Sequence, residues 1–267
     1  MSKQIIALKE YQAAYLDAGK GKVLIFLHGF LGESSAWLPI IQELQDDYRC
    51  IALDLLGFGE SSKPKLKYNI WHQVEFLQEF LTAILGLDDF RLVGHSYGGW
   101  TAAAFALKYP PHSHSANAKA LTLIAPAGIR DDEFVGRYNY LKPLLWESPL
   151  VDAVLKGISP LANLVGKTSE FEVIYQARKA LVNQPVAKSF LYDRLRPEDA
   201  IDTVENDIHG ITVPTLVIAG DKDDTIPLWH CQTYADRIPK AEIKILSNAT
   251  HALIQTHSAE IANLIRF

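Results

Sequence analysis

Short apolar runs of strand length recur along this chain: VLIFLHG from Val23, CIALD from Cys50, RLVGH from Arg91, ALTLIAP from Ala120 and TLVIAG from Thr215. Runs with so little polar alternation are buried on both faces, which is the signature of strands inside a parallel sheet. Between most of them lie segments with helical spacing, among them Ala36 to Leu44, Trp71 to Leu85 and Trp100 to Lys108. Strand and helix therefore alternate. That order dictates an α/β fold, a mostly parallel central sheet with helices on both faces. The stretch from Lys3 to Asp17 has β-rich pieces on either side of Lys9 and Glu10, and it is expected to add an antiparallel hairpin at one sheet edge.

The alternation stops between the strand ending near Pro126 and the one starting near Val213, where roughly eighty residues read as helix after helix. The expected division is a core of residues 1–128 and 208–267 with an inserted helical cap over 129–207. Ser169 with Glu172 fits a capping box, and Pro197 followed by Glu198 and Asp199 fits a helix start. The early part of this insertion, FVGRYNYLKPLLW, is rich in aromatic residues. Phe134, Tyr138 and Trp146, with Trp100 of the core, are the candidate walls for an apolar substrate. Packing of the insertion accounts for the same residues equally well.

Composition narrows the function. A chain of 267 residues that is 48% hydrophobic can bury a sizeable core, and its formal net charge is −5 with no run of five like charges. Nothing there attracts a polyanion, so a nucleic-acid partner is not expected. The segment MSKQIIALKE lacks the apolar stretch of a signal peptide, and no segment approaches the roughly 18 apolar residues that span a bilayer. A cytoplasmic, monomeric protein with no membrane partner is the expectation. Cys50 and Cys231 stand far apart and outside any CxxC pattern, so both read as packed thiols rather than a disulfide or zinc ligands.

The chemistry centres on Gly94-His95-Ser96-Tyr97-Gly98, which matches GxSxG. In that elbow a strand turns sharply into a helix, and the serine takes a positive φ that crowds the positions two before and two after it. Glycine at both relieves the clash, and Gly99 adds room. Three fixed positions in a chain of this size match by chance about one time in ten, so the motif alone is weak. Its context is stronger: the apolar FRLV runs directly into Gly94 and the small-residue WTAAAFALKY follows Gly99. A second loop, His28-Gly29-Phe30-Leu31-Gly32, follows the strand VLIFL and places backbone amides beside the elbow. The N–H groups of Phe30 and Tyr97 are the candidate oxyanion hole. His28, in a turn-forming HG pair, is expected to make structural hydrogen bonds.

Taken together, LHGF at Leu27 to Phe30, DLLGFGES at Asp54 to Ser61, GHSYGG at Gly94 to Gly99, AGDKDDTIP at Ala219 to Pro227 and a late histidine give the chain its resemblance to the α/β-hydrolases, in their serine-dependent, cap-bearing branch. The resemblance covers nearly the whole sequence and implies a triad in the order serine, acid, histidine. It implies His251 as the base, in the loop SNATH before the final helix, although Thr250 stands where the family commonly has glycine. His257 shares a face with Leu253, Ile261 and Ile265 and is expected to pack in that helix. His112 and His114, in the polar loop from Pro110, have no carboxylate or cysteine close by to complete a metal site. Asp221, Asp223 and Asp224 all follow TLVIAG, and the family pattern favours Asp223, three residues after Gly220. The other place relatives put the acid is occupied here by Pro126, Ala127 and Gly128. Asp54 and Ser61 are expected to hold their loop rather than react.

The resemblance therefore implies a serine hydrolase acting on a small apolar ester or acyl compound through an acyl-enzyme on Ser96, with no metal or organic cofactor. Three other readings stand beside it. A cofactor-free lyase of the same fold typically has arginine directly after the elbow glycines, where this chain has Trp100. Carbon–carbon bond hydrolases use the same triad on vinylogous ketones. A small-ligand sensor with little turnover needs only the fold.

Overall fold

The computed structural model describes residues 1–85, 89–111, 118–130, 148–164, 171, 172, 175, 178, 181, 182, 184–193 and 202–266. The expected hairpin is present: β1 (Gln4–Ala7) pairs antiparallel with β2 (Gln12–Ala18), Gln4 opposite Tyr15. After β3 (Lys22–Leu27) come a 3₁₀ turn at Ser34–Trp37, α1 (Leu38–Leu44), β4 (Tyr48–Leu53), α2 (Ile70–Leu85), β5 (Phe90–His95), α3 (Tyr97–Lys108) and β6 (Ala118–Ile124). The helices α4 (Pro149–Leu164) and α5 (Pro185–Asp193) follow. The chain then returns through β7 (Thr215–Gly220), α6 (Leu228–Arg237), β8 (Ala241–Leu246), α7 (Leu253–Thr256) and α8 (Ser258–Ile265).

The eight strands form one sheet in the order β1-β2-β4-β3-β5-β6-β7-β8. β2 joins β4 antiparallel, and every pairing from β4 to β8 is parallel. Leu24, Ile25, Phe26 and Leu27 of β3 are all fully buried, as are Val217, Ile218 and Ala219 of β7. That burial on both faces is why these segments lack polar alternation. On α3, Ala102, Ala103 and Ala104 are also fully buried. Small side chains there let the helix lie close on β3, β5 and β6, which fixes its first turn relative to the strand ends.

The described residues fall into two compact units. One comprises Met1–Ser62, Asn69–Arg130 and Asp202–Phe267 and carries the whole sheet. The other comprises Lys63–Tyr68 and Asp131–Ile201. Within this second unit the Tyr68 amide donates to Ser189 Oγ at 2.8 Å and the Tyr68 hydroxyl to the Pro64 carbonyl at 2.7 Å. Arg178, almost fully buried, is held by Asp152 of α4 at 3.1 Å. The segment 63–68 carries no helical or strand periodicity, so nothing in its sequence assigns it to this unit.

One helix differs from its sequence expectation. The segment after Leu253 is two helices, broken at His257, whose φ of −124° and ψ of 29° leave the helical region. Its ring Nδ1 lies 2.8 Å from the Thr256 hydroxyl, which also donates to the Ala252 carbonyl at 3.3 Å, a side chain-to-backbone bond of the kind that bends helices. His257 is half-buried at the break, while Leu253, Ile261 and Ile265 form the buried face. Cys50 and Cys231 are buried free thiols, each pushed up to about 12 by burial.

Candidate active site

In an open parallel sheet, loops leaving the carboxyl ends of the strands gather along one edge. β3 delivers His28 to Gly32 there, β5 delivers Ser96, β7 delivers Asp221 to Pro227 and β8 delivers Asn248 to Ala252. All four belong to the unit that carries the sheet.

Ser96 is the single residue between β5 and α3, with φ 54° and ψ −114°. Its N–H donates to the Ile124 carbonyl at 2.9 Å, and its carbonyl accepts from the Trp100 and Ala127 amides, both at 3.0 Å. Main-chain bonds on both sides therefore hold the strained turn. The flanking glycines are required sterically. A β-carbon on Gly94 would stand 2.3 Å from the Gly98 carbonyl oxygen, and one on Gly98 would stand 2.1 Å from the Leu27 carbonyl oxygen. Ser96 is 6% exposed.

Of the three carboxylates after β7, Asp223 meets the histidine. His251 Nδ1 lies 2.8 Å from Asp223 Oδ2, while Asp223 Oδ1 accepts the Thr225 and Ile226 amides at 2.9 and 2.8 Å. Burial pushes the Asp223 carboxyl up, but the His251 bond and these two amides outweigh it and hold it below the usual carboxylate range. A charged Asp223 makes Nδ1 the protonated nitrogen of a neutral His251, which leaves Nε2 able to accept a proton. Asp221 is engaged elsewhere. Its Oδ1 accepts the Ala249 amide at 3.2 Å, and the Lys222 amide donates to the Ala249 carbonyl at 3.0 Å. These bonds zip the loop after β7 to the loop after β8. Asp224 is exposed and lies 3.5 Å from the Thr225 hydroxyl.

His28 is fully buried, and its Nε2 accepts the Leu55 amide at 3.0 Å. Nδ1 must then carry the proton, which it donates to the Gly29 carbonyl at 2.8 Å. Burial pushes this imidazole down, and it stays neutral. Asp54, also fully buried, accepts the Ser34 amide through Oδ1 at 2.6 Å and the Glu60 amide through Oδ2 at 2.8 Å. The Ser61 hydroxyl donates to the Asp54 carbonyl at 2.5 Å and accepts the Ala14 amide at 2.9 Å. Lys3 completes the knot, its Nζ 2.8 Å from Asp54 Oδ2 and from Glu33 Oε2. Burial pushes the Asp54 carboxyl up, but Lys3 and the Ser34 and Glu60 amides hold it below its ordinary value. Neither Asp54 nor Ser61 faces the His251–Asp223 pair in any of these bonds; Asp54 ties down the end of the loop that carries Phe30 through Ser34, and Ser61 ties the loop after β4 to β2.

Phe30 is half-buried, its ring 5.7 Å from Phe58 and 6.0 Å from Tyr97 between centroids. Tyr97 opens α3, where helical N–H groups point outward along the axis. Trp100 is 8% exposed, edge-to-face with Tyr97 at 5.8 Å and under Gly128, where a β-carbon would stand 2.4 Å from its ring. That seat is a packing position inside the sheet-bearing unit. Phe134, Tyr138 and Trp146 lie outside the described residues, as do His112, His114, Ser169 and Pro197. The sequence does not single out His95, which fills an unspecified position of GxSxG, yet it packs on His251.

A family model described as the alpha/beta hydrolase fold matches residues 22–258. The chain belongs to the α/β-hydrolase family. Among the similar α/β-hydrolases, monoacylglycerol lipase ABHD6 of Bos taurus is 25% identical over 279 residues, covering 99% of this chain and 81% of the relative. The 2-hydroxymuconate semialdehyde hydrolase of Pseudomonas sp. strain CF600 is 30% identical over 261 residues, covering 93% of this chain and 87% of the relative. In structure, a thermophilic esterase from Thermogutta terrifontis superposes with a TM-score of 0.73 at 22% identity, covering 100% of this chain and 97% of that one. The relatives are hydrolases with different substrates. Among the described residues, no helix is long and apolar enough to cross a membrane and no group of histidine, cysteine and carboxylate side chains could hold a metal ion.

Proposed function

We propose that this protein is a serine hydrolase that cleaves a small carboxylic ester, or a related acyl compound, through an acyl-enzyme on Ser96. The observation that carries the reading is the 2.8 Å pair of His251 Nδ1 and Asp223 Oδ2 on the same sheet edge as a serine held at φ 54°. His251 Nε2 takes the Ser96 proton as Oγ attacks the carbonyl, and Asp223 orients and stabilises the imidazolium. The negative oxygen is received by the N–H groups of Phe30 and Tyr97, an arrangement in which one donor commonly contributes about 3 to 4 kcal/mol. His251 then gives its proton to the leaving alcohol, and water, activated by the same base, releases the acid. No cofactor enters these steps.

The half-buried ring of Phe30, packed on Phe58 and Tyr97 beside the elbow, favours an apolar acyl or alcohol moiety. The monoacylglycerol lipase relatives, named for an ester of that kind, support the same class. The helical insertion over 129–207 is read as the cap of this family, with Phe134, Tyr138 and Trp146 as its substrate-facing residues. A second reading, carbon–carbon bond hydrolysis of a vinylogous ketone by the same three residues, is favoured by the 30% identity to the semialdehyde hydrolase.

Ser96→Ala is the test. A fluorophosphonate should label the wild type once, at Ser96, and the variant not at all, with the melting temperature unchanged; equal labelling of both would overturn the reading. A panel of aryl esters of graded acyl length, run beside a ring-cleavage diene ketone, separates the two hydrolytic chemistries by kcat/KM.

A further inference from the structure

His95 stands immediately before Ser96, 7% exposed, with its Nε2 3.1 Å from the main-chain carbonyl of His251. A carbonyl only accepts, so Nε2 must carry the proton. Burial pushes this imidazole down to about 3, helped by the neighbouring His251, so the ring is neutral and Nε2 holds its only proton. The ring also lies against the His251 ring, centroids 4.8 Å apart and planes inclined by 38°. Its opposite edge reaches the loop after β3. A β-carbon on Gly29 would stand 3.0 Å from His95 Nδ1 and 3.3 Å from Ser96 Cβ, so the imidazole occupies the space that a side chain at position 29 would need.

One rigid ring thus touches both loops that must be in register with Ser96. The bond to His251 does not involve Asp223, which grips the same residue from the imidazole side at Nδ1. Asp223 sets the tautomer and one end of the imidazole, but rotation of the loop main chain would still swing Nε2 relative to Ser96. A donor fixed to the elbow itself removes that freedom, because His95 and Ser96 are adjacent in the chain and the elbow is held by three main-chain bonds. We propose that His95 is a positioning residue for the base: its Nε2–H holds the His251 main chain, and its ring spaces the His251 loop from the Gly29 loop. This inference rests on the reading of Ser96, His251 and Asp223 as the catalytic triad.

Two variants separate the donor from the ring. His95→Phe keeps a flat ring without a donor, and His95→Gln places an N–H donor near the position of Nε2. Misplacement of a reacting group by a fraction of an ångström to an ångström costs up to about a hundredfold. His95→Phe should therefore lower kcat on a short aryl ester by roughly ten- to a hundredfold with KM little changed, and slow fluorophosphonate labelling of Ser96 in parallel. His95→Gln should recover most of both rates. Wild-type kcat in His95→Phe, or equal loss in both variants, would overturn the inference. Should His95→Phe fail to fold, the wild type still decides: imidazole ¹H–¹⁵N spectra should show His95 as the neutral Nε2–H tautomer between pH 5 and 8. An Nδ1–H tautomer, or protonation in that range, would remove the bond. If the wild type is not labelled at Ser96, the triad reading itself falls and this inference with it. Wild-type labelling with an unaffected His95→Phe overturns the positioning role alone.

Discussion

At the scale of single residues, the loop after β7 gives its three carboxylates three separate roles. Asp221 joins two loops, Asp224 is solvated, and Asp223 has one oxygen committed to the Thr225 and Ile226 amides and the other to His251. This division makes Asp223→Asn informative. The two amides require an acceptor at Oδ1, so the asparagine oxygen must stay there and its NH₂ must face His251 Nδ1. That nitrogen would then have to accept, which moves the imidazole proton to Nε2 and removes the base. Asp223→Asn should lower kcat by a factor on the order of 10⁴ with little loss of stability, while Asp224→Asn should leave kcat within about twofold, well inside the small range typical of exposed positions. Equal effects of the two variants, read on one ester substrate, would contradict the division. The residues themselves do not tell the three aspartates apart, because all three follow the same strand; the family pattern favours Asp223, and the direction of each carboxylate separates the three in the fold. His95 is illegible in the sequence for a related reason, since its motif position accepts any residue and its partner lies 156 positions away.

At the scale of elements, the alternation of apolar strands with helices locates β3 to β7 within a few residues, because burial on both faces leaves a signal in each strand by itself, whereas β8 is largely exposed and carries no such run. The hairpin of β1 and β2 is readable for another reason, the β-rich pieces on either side of the polar Lys9 and Glu10, since β1 itself is largely exposed. What is not legible is set by partners distant in sequence or by local backbone geometry: the segment 63–68 joins the second unit through Ser189, and the final helix breaks at His257, whose φ and ψ leave the helical region. The clamp of Lys3 on Asp54 is another distant contact. Lys3 neutralises a fully buried carboxylate that also organises the Ser34 and Glu60 amides. Lys3→Met keeps the apolar stem and removes the charge, leaving Asp54 with amide partners alone. Urea unfolding at pH 7 should show a loss of about 1 to 3 kcal/mol, and kcat should fall because the loop bearing Phe30 is tied through Ser34. An unchanged midpoint would mean that the amides alone suffice to hold Asp54.

At the scale of the whole molecule, the sheet places a group of neutral imidazoles beside its reactive edge. His28 and His95 are buried donors whose bonds to Leu55, Gly29 and His251 fix one tautomer each, and burial pushes both below the ordinary histidine value. In the unfolded chain the same rings take up protons near pH 6.5. Unfolding therefore binds protons once the pH falls below that value, and stability declines with falling pH. For His95 the decline continues down to about 3, where the folded ring is itself protonated. Each ring contributes a slope of at most about 1.4 kcal/mol per pH unit, reached where it is protonated in the unfolded chain and neutral in the fold. Asp54 and Asp223 act later, since a carboxyl held below its ordinary value gives stability that is present above about pH 4 and lost beneath it. The chain should accordingly lose stability in two stages, a first beginning near pH 6.5 and a steeper one below about 4. Urea midpoints measured at half-unit intervals from pH 7.5 to 4.5 should fall throughout the lower part of that range. A midpoint that stays level down to pH 5 would mean that the buried imidazoles are protonated in the fold, which is incompatible with the acceptor at His28 Nε2.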